Sequence, residues 1–172
     1  MKTAKELAII SVFTALLIGG QYALSFISGV EVVTALAVSF CFIFGVRRGT
    51  LCMTAFSLLR CFIFGFMPNV VILYLVYYNL LAVVFGLIGK KLKNYKIYVK
   101  LIVVVITSII LTVCFTIIDC VITPVFYQFT LQQANVYFIA SIPTLTAQII
   151  SVAISVSVLF IPLTTFLKKM SN

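Results

Sequence analysis

Acid–base and metal chemistry need parts that this sequence lacks. Its 172 residues include no histidine and only three carboxylates, Glu6, Glu31 and Asp119, and no nucleophile stands next to a base that could activate it. Five cysteines (Cys41, Cys52, Cys61, Cys114 and Cys120) lie inside apolar runs. They are odd in number and form no C-x-x-C pair, so they read as small packing residues. Gly86-Leu87-Ile88-Gly89-Lys90-Lys91 has the wrong spacing for a phosphate-cradling loop. These residues predict no enzyme, no cofactor and no metal, and any driving energy would have to come from partners.

What the residues can do is recognise. Glu31, Arg60 and Asp119 lie among apolar neighbours, where a charge is costly and usually faces a bundle interior or a cavity. Gln21, Thr34 and Gln148 add uncharged polar groups. Tyr74 and Tyr78, with Tyr77, add rings with hydroxyl tips on which a flat heterocycle could stack. Gln21, Glu31, Thr34, Arg60, Tyr74, Tyr78, Asp119 and Gln148 thus predict a pocket for a compact polar or aromatic metabolite. Arg60 would suit a carboxylate or phosphate, whereas Glu31 and Asp119 would suit an amine, and the residue types leave both open. Each residue also has a structural reading: an interfacial belt for the tyrosines, an ion pair for Arg60 with Asp119, and a helix cap for Glu31.

Residues so far apart in sequence must be brought together by the elements that carry them. The chain is 64% hydrophobic and 9% charged, against about 25% charged in a soluble domain. Apolar stretches of about 20 residues, the length of a bilayer crossing, recur with short links. The pattern predicts one all-α integral membrane domain over residues 1–172. It is a bundle of six transmembrane helices near 6–28, 31–46, 49–66, 69–89, 99–126 and 139–167. Breaks are expected at Ser28-Gly29, Arg47-Arg48-Gly49 and Met67-Pro68-Asn69. The link Gly89–Lys96 is strongly basic, and the stretch around Phe129–Phe138 is rich in glutamine and asparagine. The run after Lys2 and Lys5 is too long for the apolar core of a secretory signal and is expected to stay as the first helix.

Charge sets the orientation. With both termini cytoplasmic, every lysine and arginine except Arg60 falls on the inner side, as the positive-inside rule requires. The net charge of +9 is then a matter of topology and does not point to nucleic acid. In this arrangement Glu31, Arg60 and Asp119 all fall in the outer half of the bilayer.

Ser11, Ala15, Gly19 and Ala23 recur every fourth residue, a stripe of small side chains that another helix can approach closely. Ser11-Val12-Phe13-Thr14-Ala15 is similar to the A-x-x-x-A signature in the first helix of the substrate-binding S components of energy-coupling factor transporters, with serine for the first alanine. Gly29-Val30-Glu31-Val32-Val33-Thr34-Ala35-Leu36 and Phe44-Gly45-Val46-Arg47-Arg48-Gly49 also resemble that family, and the likeness in length and helix number covers nearly the whole chain. The resemblance implies a protein of a prokaryotic cell membrane that captures a vitamin or related micronutrient in an outward pocket. It would dock through Ser11, Ala15 and Gly19 on a transmembrane T component and topple within the bilayer, while two cytoplasmic ATPase subunits hydrolyse ATP. The chain has no tryptophan or histidine, which some S-component pockets use, so the resemblance does not name the vitamin. Two other classes stay open: a standalone secondary carrier with Asp119 as its coupling carboxylate, and a non-enzymatic membrane assembly subunit.

Overall fold

A computed structural model describes residues 2–26 and 31–171, and the described residues form helices and short links with no strand. The helices are α1 (Lys2–Leu24), α2 (Val32–Phe64), α3 (Pro68–Lys91), α4 (Ile97–Phe126) and α5 (Leu131–Ser171). All five are long and apolar enough to cross a membrane. Large apolar side chains such as Leu7, Phe62, Ile106 and Ile154 are exposed on the outside of the bundle, a surface suited to lipid.

α2 contains the main difference from the expected elements. Residues 31–46 and 49–66 were expected as separate helices broken at Arg47-Arg48-Gly49; α2 covers both stretches, and its helical geometry is interrupted at Gly45 instead, at φ 78° and ψ −178°. In a straight helix Cys41 and Gly49 would stand about 12 Å apart. Instead, a Cβ placed on Gly49 would lie 3.0 Å from the Cys41 sulfur. The chain therefore doubles back at Gly45, and arms 32–44 and 46–64 pack side by side. Arg47 and Arg48 continue the second arm, and Gly49 is a close-packing position instead of a helix stop.

The other boundaries have local causes. Gly65 leaves helical geometry, and Pro68 opens α3 at a position where its missing N–H costs nothing. α5 begins at Leu131, well before the expected residue 139. Thr130 N–H donates to Gln133 Oε1 at 2.9 Å and Gln133 N–H to Thr130 Oγ1 at 3.4 Å, which is a capping box. The expected break at Ser28-Gly29 lies outside the described residues.

α2 is the centre of the bundle. It packs on α1, α3 and α5, while α4 fills the space between α3 and α5. Phe13 of α1 stacks on Phe40 at 4.4 Å between ring centroids, and Thr14 lies 3.4 Å from the Cys52 sulfur, so α1 touches both arms of α2. Phe40, Phe56, Phe85, Val152 and Phe160 form a fully enclosed interior.

Basic residues collect at one end of the bundle. Glu6 near the start of α1 forms an ion pair with Arg48 beside the α2 turn. Lys100 Nζ donates to the Lys93 carbonyl at 2.9 Å. Lys90, Lys93, Lys100 and Lys168 share one cavity with the turn at Gly45. Charge and topology thus agree within the fold: the end of α3, the α3–α4 link, the end of α5 and the turn of α2 are neighbours.

Candidate functional site: a polar cavity in the half away from the lysines

Helix lengths place a second group of residues at another level. Arg60 lies 15 residues beyond Gly45, and Gln148 lies 20 residues before Lys168, separations of about 22 and 30 Å along a helix. At this level a cavity of about 340 Å³ is lined by side chains from all five helices and by Glu31. Of the eight residues expected to form a pocket, six line it: Gln21, Glu31, Arg60, Tyr74, Tyr78 and Gln148. Ser25, Tyr77, Thr112 and Phe115 complete its polar and aromatic wall.

Arg60 is the principal charge. Its guanidinium lies over the ring of Tyr74, 4.1 Å from the centroid, and over Phe64 at 4.9 Å, a cation–π arrangement. Its Nε is buried without a hydrogen-bond partner, and so is Oε1 of Gln21. Gln21 donates through Nε2 to the Tyr74 hydroxyl at 3.0 Å, which fixes the amide and leaves that oxygen as a free acceptor. A buried donor and a buried acceptor without partners each cost about 1–3 kcal/mol, so both favour a guest that bonds them.

The tyrosines do not form a belt facing lipid. Tyr77 and Tyr78 are 4% and 5% exposed and meet edge to face at 5.1 Å, and Tyr74 packs against Tyr78 at 5.2 Å. Phe56 and Phe115 close the cluster from α2 and α4. The result is a rigid aromatic wall with hydroxyl tips.

Glu31 precedes α2, but its side chain makes no capping bond to the helix backbone. Instead the Thr34 hydroxyl donates to Glu31 Oε2 at 2.6 Å, so Thr34 supports the site from behind without lining the cavity. The backbone of Glu31 is held from α5: its N–H donates to Ser151 Oγ at 2.8 Å, and its carbonyl accepts from Ser155 Oγ at 3.2 Å.

Asp119 stands apart from the cavity and from Arg60. It accepts from Thr123 Oγ1 at 2.8 Å and from the Tyr137 hydroxyl at 2.7 Å, and Asn69 donates to Thr123 at 3.4 Å. This chain of bonds ties α3, α4 and α5 together, so Asp119 belongs to the scaffold. The ion pair considered for Arg60 and Asp119 does not form; the one ion pair among the described residues is Glu6 with Arg48.

The stripe of small residues lies on the bundle's outer face. Ser11, Ala15, Gly19 and Ala23 are all exposed, and nothing lies within 4 Å of a Cβ placed on Gly19. With Ala55, Leu59 and Ile63 of α2, the first three line an apolar surface groove of about 760 Å³. Packing within this chain therefore does not account for the stripe.

Thr112 and Phe115 were not among the expected pocket residues, and Tyr77 was expected only as a ring beside Tyr74 and Tyr78. Thr112 carried a signal in the sequence: Ser108, Thr112 and Thr116 recur every fourth residue in a very apolar helix. That spacing marks the face of α4 turned away from lipid, and all three are buried. Compared with family models, with curated proteins and with solved structures, the chain matches none.

Proposed function

We propose that the chain is the substrate-capturing S component of an energy-coupling factor transporter, crossing the membrane six times with both termini in the cytoplasm. The two arms of α2 count as two crossings in this reading, and the lysine-rich end is the cytoplasmic one. The cavity then opens toward the outside, and Ser11, Ala15 and Gly19 offer their groove to a T component whose ATPase partners supply the energy.

The observation that carries the reading is the convergence of Arg60, Glu31 and Gln21 on one cavity, with unpartnered polar atoms on Arg60 and Gln21. Its volume of about 340 Å³ lies within the range of small-molecule sites. Opposite charges in a small space favour a compact ligand that brings both an acceptor for Arg60 and a donor for Glu31, with a flat part against the tyrosines. A bare ion would leave one of the two charges unanswered. Asp119, the coupling carboxylate of the carrier reading, is bonded by Tyr137 and Thr123 and does not line the cavity, which favours capture over carriage.

The test is thermal unfolding of the purified chain in detergent across vitamins, nucleobases and their precursors, since a ligand that binds only the folded state raises apparent stability. One saturable stabiliser that is lost in Arg60→Met supports capture at this cavity. A well-folded protein that responds to no zwitterionic or heteroaromatic metabolite counts against it.

A further inference from the structure

The second cavity, at the lysine-rich end, has a volume of about 860 Å³ and is independent of the transport reading. Lys90 at the end of α3, Lys93 in the following link, Lys100 in the first turn of α4 and Lys168 near the end of α5 all line it, and no carboxylate does. The chain's three carboxylates are placed elsewhere: Glu6 is paired with Arg48, Glu31 stands at the other cavity and Asp119 is held by Tyr137.

Lysines at a membrane surface are ordinarily answered by water, and Lys90, Lys93 and Lys168 are exposed enough for that. Lys100 is different. It is 9% exposed, and its Nζ has one partner, the Lys93 carbonyl at 2.9 Å. An ammonium has three N–H donors, so two remain free inside the cavity, close to three further positive charges. A buried cation without a counter-charge is costly. The N-terminus of α4, whose first turn carries Lys100, adds the positive end of a helix dipole. Ile43 and Leu87 supply an apolar wall beside the lysines.

We propose that this cavity binds a phosphate group, carried by an anionic phospholipid whose apolar part lies along Ile43 and Leu87. Lys100 is the inner ligand, and Lys93 and Lys168 close over the phosphate oxygens. The bilayer supplies such a headgroup at high local concentration, and a soluble phosphate ester would satisfy the same donors.

The experiment uses the full chain in neutral detergent, doped with phosphatidylglycerol or phosphatidylcholine and examined by native mass spectrometry for retained lipid. Phosphatidylglycerol should be retained and phosphatidylcholine should not. In the double variant Lys93→Gln/Lys168→Gln, retention should weaken roughly 25-fold, taking about fivefold for each lysine removed. Both side chains are exposed and their removal relieves repulsion on Lys100, so the lipid-free variant should unfold no earlier than wild type, which separates loss of the site from loss of the fold. Displacement of phosphatidylglycerol by glycerol phosphate at comparable concentration would support the phosphate site and assign it to soluble esters. Equal retention of both lipids, or a double variant that binds phosphatidylglycerol as wild type does, would overturn the proposal.

Discussion

Replacing Gly86 by alanine probes a close approach of two helix backbones in the bundle. A Cβ at this position would stand 2.5 Å from the backbone nitrogen of Val46 and 2.8 Å from its Cα, where ordinary carbon contacts begin near about 3.5 Å. α3 and the turn of α2 would have to separate by up to about 1 Å. Because the obstacle is backbone, no rotamer change relieves it. Overpacking costs about 1–3 kcal/mol and the upper end applies here, offset by about 1 kcal/mol from the better helix propensity of alanine. The expected net loss is about 2 kcal/mol. Equilibrium unfolding by SDS titration in mixed micelles measures it, with Gly19→Ala as the control. Gly19 gains the same propensity with nothing within 4 Å, so that variant should be as stable as wild type or more so by up to about 1 kcal/mol. If Gly86→Ala proved as stable as Gly19→Ala, the close approach of α3 to the α2 turn would be refuted.

Arg60→Met replaces the guanidinium over Tyr74 and Phe64 with an unbranched apolar side chain, so stability should fall by no more than about 2 kcal/mol while affinity for the captured ligand falls tenfold or more; calorimetric titration reads the second effect. Asp119→Ala should cost about 2 kcal/mol of stability by stranding Tyr137 and Thr123, yet leave ligand affinity intact, and its effect should add to that of Arg60→Ala within about 0.5 kcal/mol, without mutual rescue. Ala15→Leu should abolish uptake in cells while sparing unfolding and ligand binding in detergent, because the side chain projects into the outer groove; unchanged uptake would count against docking there. Glu31→Gln should weaken binding of an amine-bearing ligand while leaving the backbone bonds from Ser151 and Ser155 in place, so calorimetric titration should show the loss and the unfolding midpoint should change little.

Where a sequence signal had one physical meaning, the helices could be read directly. Pro68 can open a helix but cannot continue one, and α3 and α4 begin and end within two residues of the expected bounds. The shared level of Gln21, Arg60, Tyr74 and Gln148 followed from alternating helix directions and 1.5 Å per residue, which needs no knowledge of packing. Where one residue type serves two purposes, the sequence was ambiguous. Gly45 and Gly49 flank the same Arg-Arg pair, but only the first adopts a positive φ, while the second lets the two arms of α2 touch. Gln132, Gln133 and Asn135 lower the local hydropathy and masked a helix that Thr130 and Gln133 cap together. Asp119 looked like a partner for Arg60 because charge is rare here, yet two hydroxyls satisfy it. The bonds from Ser151 and Ser155 to the Glu31 backbone bridge some 120 residues, and no local pattern announces them.

The first arm of α2 has a consequence for how the protein is made. Residues 32–44 span about 20 Å, less than the hydrocarbon thickness of about 30 Å. Most of them, from Val33 to Phe44, are enclosed by other helices instead of lipid. Part of that enclosure comes from α5, which leaves the ribosome well after this arm, through Phe160 against Phe42 and the two serines that hold Glu31. Until that helix arrives, the arm is too short to be matched by the bilayer and lacks its final neighbours. The centre of the bundle is therefore synthesised well before it is sealed. A nascent chain ending before Ser151 lacks the bonds that hold Glu31 and the ring that covers Phe42, so its core is unfinished.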